Sequence, residues 1–283
     1  MIEDTAICPA SLSFIFKKIE DKDLIKSGSI GIGCTVDKNV VVTASTSDQN
    51  RLLFNNKEIQ IPPVFRAIKQ ITSVSLKLSV KSLLPIGSGF GISGAATLAG
   101  LYAVNKLLNL NKSSIELNGI AHNAEIVEKT GLGTVATQTT GGFLIKKRAG
   151  IPSIFRRLNF SGKIIYATVI GTLKTPTILS SPLILKNINK EADTALNEIS
   201  KKKYLTIEDV INISYKYCIN SGLLKNSEAR KIIEQIRNLN GAATMAILGK
   251  TVLSNVKPKQ TKYPVFELQI SNNKIQMIRN ANQ

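Results

Sequence analysis

The chain has 283 residues, 43% of them hydrophobic, which is enough for one large or two modest packed domains, and no apolar run reaches the roughly 18 residues of a membrane span. Three scattered cysteines (Cys8, Cys34, Cys218) and one histidine exclude a disulfide framework and a Cys/His zinc site. A net charge of +18 attracts polyanions, but the lysines are dispersed, aromatics make up 5% and Trp is absent, so a nucleic-acid platform is not expected.

The N-terminal MIEDTAICPASLSF opens acidic and lacks a basic leader, so a cytoplasmic protein with reduced thiols and no membrane partner is expected. Residues 5–16 read as a strand interrupted by Pro9, with Ser11 and Ser13 alternating with Leu12 and Phe14. The charged run 20–28 reads as a loop. Gly28-Ser29-Ile30-Gly31-Ile32-Gly33 leads into a strand through Val36, Asp37-Lys38-Asn39 is expected to turn, and Val40 to Thr43 to pair back. A hairpin around Asn55-Asn56 and a short helix behind Pro62-Pro63 follow. Val74, Leu76, Leu78 and Val80 alternate with polar residues, as a half-buried strand does.

That strand runs into Pro85–Ala96, where Gly87, Gly89, Gly91 and Gly94 cluster before a helix with Ala95, Leu98, Ala99 and Tyr102 on one stripe. Ser113-Ser114 open a second helix with Ile120, Ala121, Ala124 and Val127 on its apolar side, expected to stop at Gly131. Residues 130–142 read as a small, polar glycine loop, 143–145 as a strand, and Pro152 as a boundary. Beyond it come a strand at 164–170, a Thr/Ser/Pro loop at 171–182, and helices near 190–201, 206–221 and 227–239, the second with a Thr206/Asp209 cap. An apolar stretch, Ala243 to Leu248, precedes a hairpin expected around Asn272-Asn273. Strands followed by helices, without repeats, indicate an α+β protein.

A glycine cluster between a strand and a helix suits an anion. The backbone can approach closely, and the free N–H groups of the first helical turn point at it. Walker A is excluded, since no Lys lies between Lys81 and Lys106. Gly89-Phe-Gly91-Ile-Ser-Gly94 fits the dinucleotide pattern literally, but the acidic residue that pattern needs is represented only by Glu116, late and inside the next helix. Ser93 is placed to cap the helix or to ligate a metal ion. Glu125 is either a metal carboxylate or a surface acid paired with Lys129.

Pro85, Gly89, Gly91, Ser93 and Ala95 match in register the pattern P-x-x-x-G-L-G-S-S-A-A of the GHMP kinases, which the chain therefore resembles. With Phe90, Ile92 and Gly94 at the varied positions and AHNAEIVEKTGLGTVATQTTGG downstream, it looks most like the archaeal pantoate kinases. Gly241–Val252 resembles the superfamily's third motif.

The resemblance implies the GHMP fold, two α/β domains (1–155, binding ATP, and 156–283) with the nucleotide between them. It implies ATP-dependent phosphorylation of pantoate to 4-phosphopantoate in coenzyme A synthesis, with Mg²⁺ shared by Ser93 and Glu125. Nucleotide contacts are implied for Gly87, Ser88, Gly89, Gly91, Ile92, Ser93, Gly94 and Ala95. Pantoate contacts are implied for Ser29, His122, Lys146 and Thr175. Thr134 departs from the family, which places an Asp there as presumed base. It leaves three options: a base from elsewhere, a reaction without one, or a non-catalytic sensor. Another GHMP kinase, acting on homoserine, shikimate or mevalonate, is the alternative within the fold. A homodimer is compatible with the sequence, which does not fix the oligomeric state.

Overall fold

The computed structural model describes residues 2–173 and 179–278. Its spine is a pair of long antiparallel strands, β1 (Glu3–Ile19) and β2 (Gly28–Thr46). β2 does not turn at Asp37-Lys38-Asn39, as its composition suggested. Pro9 pairs with Asn39 and Ser11 with Thr35, so Val36–Lys38 bulge opposite Ala10 and the strand continues. Tertiary pairing overrides the local turn preference, and Asp37 is satisfied by the Gln269 N–H. A second irregularity, at Phe14 between the pairs Ser13/Gly33 and Ile15/Ile32, brings Ser13 and Phe16 onto one face of the sheet.

Around this pair lie β3 (Arg51–Phe54), β4 (Lys57–Glu58) and β5 (Leu76–Ser82) on one side. β6 (Phe143–Lys146) pairs with the first half of β2, and β7 (Phe155–Leu158), which spans the expected division at 155, pairs with β6. The second half of the chain supplies β8 (Ile164–Gly171), β9 (Ala243–Met245), β10 (Lys250–Ser254), β11 (Val265–Ser271) and β12 (Gln276–Met277). The expected final hairpin does not form. β11 pairs with β8 and β2, whereas β12 pairs with β1, because both outer strands find longer partners than each other.

The helices are α1 (Pro62–Ile68), α2 (Ile92–Leu107), α3 (Ser114–Val127), α4 (Thr134–Thr140), α5 (Pro182–Ser200), α6 (Ile207–Asn220) and α7 (Ser227–Asn238). α2 is buried on nearly all sides, from Ala95 and Ala96 to Ala103 and Val104, so its single stripe is an underestimate. Small side chains let it lie between the sheet and α1 and α3. Capping boxes start α3 (Ser113/Glu116) and α6 (Thr206/Asp209). α3 stops four residues before Gly131, with Lys129 in the left-handed region, and the segment read as a glycine loop contains α4.

The second half is tied to β1 by buried side chains. Ser214 Oγ donates to Phe14 O at 2.7 Å and the Tyr217 hydroxyl to Phe16 O at 2.9 Å. No helix among the described residues is long and apolar enough to cross a membrane. Because Tyr217 is buried and its hydroxyl bonds the β1 backbone, Tyr217→Phe is expected to cost about 1 kcal/mol of stability, the usual value of one buried hydrogen bond. Urea unfolding at constant m-value measures it.

Candidate active site

The strand β5 delivers the chain through Leu84 and Pro85 to the glycine loop, and the loop opens α2. Gly91 is the N-cap of α2 with φ +63°, a conformation a side chain would strain. The loop's carbonyls are held from outside. Leu173 N donates to Gly87 O (2.8 Å), Thr251 Oγ1 to Ser88 O (2.7 Å), Ser11 N to Phe90 O (2.9 Å) and Gln138 Nε2 to Gly91 O (2.9 Å). A trans peptide sets C=O and the next N–H in opposite directions. Each held carbonyl therefore turns the amide of the following residue, 88, 89, 91 or 92, away from the packed shell. Phe90 anchors the loop, fully buried and edge-on to Phe266.

The third motif serves the same loop. Gly249 lies so close to Ser88 and Gly89 that a Cβ there would collide with Ser88 O and Gly89 Cα, and Thr251, two residues on, makes the hydroxyl bond to Ser88 O. Ile247 N donates to Ser13 O, fastening this turn to β1.

A cavity of about 90 Å³ lies over the loop, bounded by Gly87, Gly89–Gly94, Glu125, the segment 130–134, Ser29, Lys146 and the β1 residues Ser11, Ser13, Ile15 and Phe16. Ser93 does not cap α2. Its hydroxyl donates to Glu125 Oε1 at 2.7 Å. Glu125 is 2% exposed and makes no pair with Lys129, whose Nζ reaches Ser180. Burial pushes the Glu125 carboxyl up to about 7, with hydrogen bonds from Ser93 and Thr130 pulling the other way. The surface-acid alternative thus fails.

Lys146 Nζ donates to Gly133 O at 2.9 Å, and Ser29 Oγ borders the same glycine. Burial pulls the Lys146 ammonium down to about 8. β-sheet register explains its position: Phe16, Gly31 and Lys146 are directly opposed on β1, β2 and β6 and share one face. Thr134, first residue of α4, packs its methyl toward Gly94 and its hydroxyl toward Gly131, the glycine that also borders Glu125. Glu125 and Lys146 are the charged side chains among the described residues lining the cavity.

The remaining expected residues stand elsewhere. Ser88 and Ala95 are fully buried and lie outside the cavity wall, Ser88 with an unpartnered hydroxyl. His122 shares the buried side of α3 with Glu125, but its Nε2 donates to Ser27 O at 2.9 Å, and the ring braces the segment that carries Ser29 from behind. Burial lowers its pKa. Thr175 lies outside the described residues. Sequence reasoning missed Gln138 and Thr251 as loop anchors, and Phe16 and Leu132 as cavity wall. The alternation of Ser11 and Ser13 was the visible signal for β1.

Hard oxygen donors suit Mg²⁺. The Ser93 hydroxyl and the buried Glu125 carboxylate fit an ion that takes further ligands from a polyphosphate. No cluster of three or more His, Cys, Asp or Glu able to hold a metal occurs among the described residues.

Residues 62–142 match the family described as GHMP kinases N terminal domain. The chain is 30% identical over 258 residues to the pantoate kinase of Methanocaldococcus jannaschii, covering 89% of this chain and 92% of that protein. To the pantoate kinase of Methanospirillum hungatei it is 29% identical over 94% of this chain and 93% of that one. Among solved structures it resembles one described as a phosphotransferase related to CoA biosynthesis pathway, with TM-score 0.85 and 20% identity over 99% of this chain and all of that one. Mevalonate diphosphate decarboxylase of Staphylococcus aureus shares the fold at TM-score 0.71 and 12% identity, with 98% of both chains covered.

Glu125 gives a stability test. A carboxyl with folded pKa near 7, against an ordinary 4.5, adds its stability below pH 4.5 and loses it as pH rises through 7. The metal-free Glu125→Gln protein is expected to melt higher than the parent at pH 8, with the gap closing by pH 4.5. Thermal melts across that range check it.

Proposed function

We propose that this chain, which belongs to the pantoate kinase family of the GHMP kinases, transfers the γ-phosphoryl group of ATP to the 4-hydroxyl of pantoate. The observation that carries the reading is the Ser93–Glu125 pair, 2.7 Å apart at the mouth of a loop whose carbonyls are held back into the packed shell. Such a loop presents amide dipoles to a triphosphate, and the helix dipole of α2 adds to them. The base has a crevice on the strand side of the same loop, about 430 Å³, lined by Phe54, Leu83, Pro85, Ile86 and Phe266. Leu83 is 77% exposed there, an apolar side chain available to stack on an adenine ring.

Ser93 Oγ and the Glu125 carboxylate would hold Mg²⁺. When bound, the ion offsets charge on the β- and γ-phosphate oxygens. Lys146 meets the acceptor's carboxylate as a point charge, with Ser29 beside it. Ile15, Phe16, Leu132 and Ile247 give the cavity an apolar wall for the acceptor's dimethyl carbon. The 4-hydroxyl oxygen bonds to the γ-phosphorus while the bond from that phosphorus to the bridging oxygen of ADP breaks, and the hydroxyl proton passes to an oxygen of the transferred phosphoryl group and from there to water. Thr134 cannot take the hydroxyl proton at neutral pH, and phosphoryl transfer through a loose transition state depends on positioning and charge more than on a base.

ADP release dependent on pantoate, ATP and Mg²⁺ tests the assignment, and turnover of homoserine in place of pantoate would redirect it. Ser93→Ala and Glu125→Ala are each expected to lower kcat by about a hundredfold or more while the protein stays folded, as loss of a transition-state contact does. Near-normal rates for both would remove the metal site. Lys146→Met is expected to raise KM for pantoate about tenfold or more, the value of a charge-assisted contact. Thr134→Val, which removes only the hydroxyl, is expected to stay within about threefold of the parent kcat, because no proton passes through it.

A further inference from the structure

Gln138 is fully buried on α4, one turn after Thr134, in a place where a hydrocarbon side chain would serve packing better. Its Nε2 donates to Gly91 O at 2.9 Å and lies 3.4 Å from Ser11 Oγ. Its Oε1 has no partner. The orientation of the amide follows from these neighbours, since exchanging N and O would set two acceptors against each other at Gly91. A buried polar oxygen without a bond is a cost to folding, so stability does not explain this residue.

Its bond to Gly91 does. Gly91 O also accepts from Ala95 N at 3.0 Å, so two donors fix one carbonyl. That carbonyl belongs to the peptide joining Gly91 to Ile92. Held inward by the Gln138 amide, it turns the Ile92 N–H, the first of α2, outward on the opposite side. Gly91 has φ +63° and no side chain of its own, so the Gln138 amide adds from outside the loop to the single restraint that the Ala95 N–H supplies from within α2.

We propose that Gln138 is a positioning residue for phosphate binding: it aims the Ile92 amide by locking the Gly91 carbonyl, and so sets the loop's affinity for a polyphosphate without touching it. This rests on the reading that the triphosphate of ATP lies over the glycine loop. Thr251 does the same for the peptide from Ser88 to Gly89 through its hydroxyl bond to Ser88 O.

The test is calorimetric titration of the full chain with inorganic tripolyphosphate, ATP and adenosine. Gln138→Met keeps the length and removes the donor, and Thr251→Val keeps the shape and removes the hydroxyl. Each variant is expected to bind tripolyphosphate and ATP about tenfold more weakly, the worth of one hydrogen bond, with adenosine binding close to the parent's and the protein still folded at the titration temperature. A general packing role would lower all three affinities together. Parent-like tripolyphosphate affinity in both folded variants, or equal losses for adenosine and ATP, overturns the proposal, as does a parent that binds neither polyphosphate. A parent that binds both tightly, loses them in the variants and still fails to phosphorylate pantoate would sink the kinase reading and leave this inference standing.

Discussion

The site depends on one constraint: carbonyl oxygens of the glycine loop are occupied from behind. Anchors come from β1, α4, β10 and the segment after β8, four places far apart in the chain. A glycine-rich segment is costly to order because it has so many conformations to lose. Supplying the order from the surrounding shell leaves the loop's N–H groups preset before an anion arrives. Such preorganised dipoles need no rearrangement during reaction, which is where their catalytic value lies. The second half of the chain thereby helps to fix the loop's conformation, through Thr251 and the close seat of Gly249.

The same shell explains why two ionisable groups are buried at a cost. Glu125 and Lys146 are each displaced toward neutrality by burial, the carboxyl upward and the ammonium downward. Holding either group in its charged form at these buried positions costs stability. Under the proposed function, a cation at Glu125 and an anionic acceptor at Lys146 would give each group a charged partner. The low polarity that penalises an unpaired charge at either position also strengthens its contact with an oppositely charged partner.

Local chemistry made much of this legible in the sequence. The strand–glycine loop–helix succession at 76–107, the Thr206/Asp209 cap and the alternation of Leu76, Leu78 and Val80 and around Ser11 and Ser13 are short-range signals that the structure bears out, although Val74, read into the same strand, is exposed ahead of β5. What stayed hidden is long-range. Asp37-Lys38-Asn39 reads as a turn until β1 is known to run past it, and Asn272-Asn273 reads as a hairpin until β12 finds β1. α4 escaped notice because Thr134-Val-Ala-Thr-Gln-Thr-Thr140 is poor in helix formers, and its amphipathic order appears only once Gln138 is seen to face the glycine loop. His122 shows the limit of spacing arguments. It shares a helix side with Glu125, yet its ring nitrogen is spent on Ser27 O.

Thr134 then takes on a physical meaning. A carboxylate at this position would lie beside Gly131, near the buried Glu125, and two acids so placed would each raise the other's pKa. Threonine avoids that repulsion, fills the gap beside Gly94 with its methyl, and leaves a cavity with one acid and one base among its described lining residues. A neutral cavity accepts a tetra-anionic nucleotide and an anionic acceptor more readily than an acidic one. What an acid would contribute as proton acceptor is exchanged for weaker electrostatic opposition to binding, and in a reaction governed by charge and placement that exchange need not slow the chain down.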